Sequence, residues 1–135
     1  MDFNDLEGFN CIHWQRYEKS KLAQIYFTYE LQRKFDQAKS GASVHCVHPG
    51  IIVTDIVSYL PYNLYKLYAF LLLDIFGLNV ERGAKGPAYV ATTPTLNGKG
   101  GKYFSLWHPS TSSQITYDEE IAKKLWEVSE KMVGL

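Results

Sequence analysis

Between residues 13 and 39 the apolar side chains Leu22, Ile25, Tyr26, Tyr29 and Phe35 recur mostly at three- and four-residue spacings, the period of one helix face. One long helix is predicted there, ending at Gly41. Residues 43–48 read Ser-Val-His-Cys-Val-His, a short buried strand that runs directly into Pro49-Gly50. Residues 55–76 are apolar and aromatic and predict a helical region in which Tyr59, Tyr62, Tyr65 and Tyr68 recur at every third position. Those tyrosines suit a core face whose phenols reach water as well as a lipophilic substrate wall, and the pattern leaves both open. A helix over 81–93, a strand over 102–106 and a helix over 118–132, with Ile121, Leu125 and Val128 on one face, complete the chain. Residues 1–11 read as a polar loop. Two strands are predicted in all, with no repeat, linker or low-complexity segment.

A length of 135 residues allows one domain with a real core. Its 14 basic and 14 acidic residues balance, which argues against a nucleic-acid partner, because phosphate binding needs a clustered cationic surface. Cys11 and Cys46 have neither metal-ligand nor disulfide-framework spacing and read as free thiols. His13 precedes the long helix, His45 and His48 share a strand, and His108 is expected in a loop, so no metal site is expected. The start, Met-Asp-Phe-Asn-Asp, is acidic and polar, unlike a secretory signal. Residues 59–78 have about the length of a bilayer span. Lys66 and Asp74 interrupt them, and each charge near the centre of a span costs about 2.5–3.5 kcal/mol. A lid, or a segment lying at a membrane surface, is the expectation.

Tyr17 and Lys21 carry the candidate chemistry. Positions i and i+4 share a helix face, so a phenol and an ammonium can approach one ligand. A tyrosine is protonated at neutral pH, with a reference pKa of about 10, and a nearby cation stabilises the phenolate. Tyr62 and Lys66 have the same spacing, but they follow Pro61 in an apolar stretch and come after the Pro-Gly turn. Order and context favour the first pair.

Tyr17-Glu18-Lys19-Ser20-Lys21 resembles the catalytic Y-x-x-S-K of the short-chain dehydrogenase/reductase family, and the seven residues from His48 to Thr54 resemble its P-G-x-V-x-T turn beside the nicotinamide. Residues 94–104 and 125–135 resemble the final strand and terminal helix of the retinol-dehydrogenase-like branch, and Asp2-Phe3-Asn4-Asp5-Leu6 resembles the segment that precedes its tyrosine. The implied fold is α/β, the C-terminal part of a doubly wound Rossmann-type parallel sheet domain spanning residues 1–135, without the N-terminal dinucleotide-binding strands. Residues 55–78 would be a substrate lid.

By this resemblance Tyr17 would be the acid–base group, while Lys21 would hold the nicotinamide ribose hydroxyls. Pro49 and Gly50 would shape the turn, the Ile52 backbone would face the carboxamide, and the Thr54 hydroxyl would bond nearby. The coenzyme is NAD or NADP, undetermined. The partner is a lipophilic small-molecule substrate, retinoid-like or another long-chain alcohol or carbonyl, with membrane-surface contact through 59–78. The resemblance points to the endoplasmic reticulum or another membrane-associated compartment. The chain has no G-x-x-x-G-x-G turn and no serine before Ser20. Gly98, Gly100 and Gly101 precede a strand, whereas a phosphate loop opens a helix. Two classes therefore remain: an incomplete chain or partial gene model of an NAD(P)-dependent oxidoreductase, inactive alone, or a non-catalytic truncated product that binds a partner or membrane.

Overall fold

The computed structural model describes residues 1–52 and 79–135. The expected lid, its four tyrosines, the 59–78 membrane-like stretch and Thr54 lie outside the described residues. Within them the order is α1 (His13–Gln37), β1 (His45–His48), α2 (Val80–Thr92), β2 (Lys102–Ser105), β3 (His108–Ser110) and α3 (Glu119–Val133). Short 3₁₀ turns occupy Pro94–Leu96 and Gln114–Tyr117. The chain is a mixed α/β protein with a small sheet in the order β1-β2-β3. The Gly101 N–H donates to the Val44 carbonyl (2.8 Å) and the Leu106 N–H to that of His48 (2.7 Å), so partners advance together and β1 runs parallel to β2.

Three of the sequence expectations are corrected. β1 begins at His45 rather than residue 43, and it is half-buried, with His48 exposed. His108 lies in a strand, not a loop, and that third strand pairs antiparallel with β2 in the register Tyr103↔Ser110 and Ser105↔His108. The connecting residues are Leu106 and Trp107, and Leu106 has φ +59°. A hairpin turn normally signals itself with glycine or asparagine at such a position, so nothing in the local sequence announced it.

The described residues form two compact units. The first comprises Met1–Cys46, Leu96–Lys102 and Thr111–Leu135. Here α1 packs on α3, burying Tyr26, Ala122 and Leu125, with Leu6, Leu22 and Ile121 against them. The predicted stripe on α1 is only partly right: Tyr26 and Tyr29 are buried, but so are Thr28, Glu30 and Gln32, while Ile25 and Phe35 are half-buried. Each of these three polar side chains has a partner. Thr28 bonds the Gln24 carbonyl, Glu30 holds Arg33, and Gln32 donates to Asp36 and accepts from Val44. Tyr26 and Tyr29 keep their hydroxyls satisfied by Ile115 O and Ser112 Oγ, both at 2.7 Å. α3 starts at Asp118, whose carboxylate accepts the Ile121 N–H at 3.0 Å, a standard N-cap.

The second unit has its described residues within Val47–Thr95 and in Tyr103–Ser110. The Asn79 side chain caps α2 through the Arg82 N–H at 2.8 Å. The fully buried positions of α2 are Gly83 and Gly86. A methyl at residue 86 would collide with the Leu106 carbonyl, and one at residue 83 with the Ile52 side chain. These glycines let the helix approach the strands closely.

Candidate active site

The start of α1 is held by the loop before it. Asp5 accepts the N–H groups of Phe9 (2.7 Å) and Asn10 (3.0 Å), and these bonds, that from Asn10 foremost, hold its carboxyl below the ordinary value of 3.8. Arg16 reaches back from the first turn, its Nε bonding the carbonyls of Gly8 (2.6 Å) and Cys11 (3.2 Å). Gln15 Oε1 accepts the Ile12 N–H at 3.3 Å, which satisfies one of the donors that a helix N-terminus leaves free. Lys19 Nζ lies 2.8 Å from Cys11 Sγ, and this bond is the main cause that raises the Lys19 ammonium above its usual 10.5. The residues around Tyr17 are therefore braced by several independent bonds.

Tyr17 and Lys21 share one face of this braced helix. Lys21 Nζ lies 5.5 Å from the Tyr17 ring centroid, within cation–π range. It also bonds Gln24 Oε1 at 3.5 Å. Both residues are exposed, Tyr17 at 46%. Lys21 also acts on Cys46: burial pushes that thiol up, opposed by the Thr28 hydroxyl and the Lys21 charge. Neither Tyr17 nor Lys21 lines the cavity of about 380 Å³ between the N-terminal loop, α1 and α3, whose walls include Leu6, Arg16, Lys19, Leu125 and Met132.

Trp14 is a neighbour that the motif did not single out. Its ring centroid is 5.7 Å from that of Tyr17, tilted by 30°, and its indole N–H donates to Glu18 Oε1 at 2.8 Å. The i, i+3 spacing of Trp14 and Tyr17 carried the signal.

Pro49, Gly50 and Ile52 belong to the second unit, where they follow β1 directly. Gly50 has φ +84°, a left-handed conformation that glycine adopts without steric cost. Ile52 is half-buried with its Cδ1 against Gly83. Thr54 cannot be placed with them, lying outside the described residues.

A nicotinamide coenzyme would need donors for its ribose and a glycine turn for its phosphates. Lys21, exposed and with ammonium donors, fits the ribose. The glycine-rich stretch does not fit the phosphates: Gly100 is pressed against the Gln32 amide and Gly101 leads into β2. Among the described residues no group of three or more His, Cys, Asp or Glu could hold a metal ion, and no helix is long and apolar enough to cross a membrane.

No family model matches the chain. Individual relatives do. The chain is 36% identical over 121 residues to human retinol dehydrogenase 14, an alignment covering 88% of this chain and 35% of that protein. It is 31% identical over 136 residues to human polyprenol dehydrogenase, covering 100% and 41%. With the chloroplastic short-chain dehydrogenase TIC 32 B of Brassica napus it shares 34% identity over 119 residues, covering 87% and 36%. The chain belongs to the short-chain dehydrogenase/reductase family, on its retinol-dehydrogenase-like branch. It spans 35% to 41% of the length of these curated relatives.

Proposed function

We propose that this short-chain dehydrogenase/reductase segment carries the acid–base side of an NAD(P)-dependent interconversion of a lipophilic alcohol and its carbonyl. The observation that carries the reading is the Tyr17–Lys21 pair, one turn apart on a helix start fixed by Arg16, with the ammonium 5.5 Å from the phenol ring. The fold placement proposed with it is the C-terminal part of a Rossmann-type sheet, with β1 and β2 as its parallel strands.

In this reading Tyr17 gives its hydroxyl proton to the carbonyl oxygen during reduction and takes it back during oxidation. Acid–base catalysis of this kind contributes about a hundred- to ten-thousand-fold. The Lys21 charge favours the phenolate left behind, and its remaining donors hold the ribose hydroxyls. Pro49 and the left-handed Gly50 shape the turn next to β1, the Ile52 backbone would face the carboxamide of a bound coenzyme, and Thr54 would supply a hydroxyl. The bound coenzyme supplies or accepts the hydride. The relatives' names speak of retinol and polyprenol, both lipophilic alcohols, and the same substrate class is proposed here. The test is turnover of retinol by a protein that joins this segment to a coenzyme-phosphate turn. Tyr17→Phe is expected to abolish it, and unchanged turnover would refute the reading.

A further inference from the structure

The surroundings of the Tyr17 phenol are asymmetric along α1. One turn toward the helix start stands Trp14, and one turn toward its end stands Lys21. Trp14 is 65% exposed, an uncommon position for so large an apolar side chain. It is nevertheless held in place, by the tilted contact with Tyr17 and by the bond to Glu18. A ring fixed before its ligand arrives loses little conformational freedom on binding. Phe9 and Ile12, just upstream, are also exposed, at 74% and 68%.

We infer that Trp14 is a specificity-determining residue, whose indole receives the hydrocarbon body of an isoprenoid-type alcohol or carbonyl while the substrate oxygen sits at Tyr17. The inference rests on the acid–base reading of Tyr17 above. A molecule reaching the Tyr17 hydroxyl has a charge on one side of it and an aromatic ring on the other. An unsaturated chain packs on that ring, whereas a small hydrophilic alcohol gains nothing from it. The occupant is a lipophilic small molecule because the platform adjoins the one hydroxyl proposed to exchange a proton with such a molecule.

The test is titration of the 135-residue chain with all-trans-retinol, followed by the anisotropy of the retinol fluorescence, so that removing a tryptophan does not remove the reporter. Trp14→Ala and Trp14→Gln should each weaken binding about three- to tenfold, the size of an aromatic contact. Trp14→Phe should keep most of the affinity, and Trp107→Ala should leave it unchanged. Either substitution alone decides the matter should the other fail to fold. Affinity within twofold of the parent in a folded Trp14 variant, equal losses for Trp107→Ala, or no retinol binding by the parent chain would each overturn the inference. Turnover of Tyr17→Phe in a protein that joins this segment to a coenzyme-phosphate turn tests the acid–base reading separately, so failure of one does not imitate failure of the other.

Discussion

The side-chain oxygen of Gln32, midway along α1, accepts the backbone N–H of Val44 at 2.9 Å and so ties the long helix to the segment that enters β1. Gly100 makes room for it. A methyl group at residue 100 would fall on the Gln32 amide, which would have to leave Val44. Gly100→Ala should therefore speed hydrogen exchange of the Val44 amide by about tenfold, in line with the loss of one hydrogen bond. Gln32→Ala should do the same. Unchanged exchange in both variants would show that this bond does not order the entry to β1.

Gly86→Ala should destabilise the second unit by about 1–3 kcal/mol, the usual cost of forcing a methyl into a filled space. The obstacle is the Leu106 backbone carbonyl rather than a movable side chain. Thermal unfolding of the variant beside the parent measures this, and an unshifted midpoint would mean that α2 does not pack as described.

In a protein that joins this segment to a coenzyme-phosphate turn, Tyr17→Phe should remove turnover and leave coenzyme binding largely intact, because it deletes one hydroxyl and little volume. Lys21→Met should damage both. Steady-state rates together with coenzyme titration separate the two effects.

The 135-residue chain by itself should bind NADH or NADPH no tighter than about millimolar, a free energy near −4 kcal/mol. Its glycine-rich stretch is occupied by packing on Gln32 and offers no phosphate cradle. Calorimetric titration checks this. Micromolar affinity would show that other residues of the chain hold the phosphates.

His45 should titrate below its ordinary 6.5, chiefly because burial disfavours its charged form and secondly because of the Lys102 charge. A depressed histidine favours the folded state while it is neutral. Its contribution is therefore complete above about pH 6.5 and is lost as the pH falls through the lowered folded value. An NMR titration of the His45 ring gives the midpoint, and a value above 6.5 would reverse the expected sign.

Local chemistry was enough to locate the two ends of the first unit. The three- and four-residue spacing of Leu22, Ile25, Tyr26 and Tyr29 determined α1, and that of Ile121, Leu125 and Val128 determined α3, because periodicity acts within a few residues. The Tyr17–Lys21 pair was legible for the same reason: helix geometry alone puts i and i+4 on one face. The hairpin into β3 was not legible. Its turn residues are Leu106 and Trp107, and Pro109 sits in the strand that follows, a sequence that does not favour such a turn by itself. A leucine in the left-handed region costs about 1–2 kcal/mol. It is held there by the bond from its N–H to His48 and by the close approach of Gly86 to its carbonyl. The burial of Thr28, Glu30 and Gln32 has a similar origin. Their partners lie partly within α1 and partly at Val44, and only once the chain has folded back on itself does the space around a polar side chain become interior.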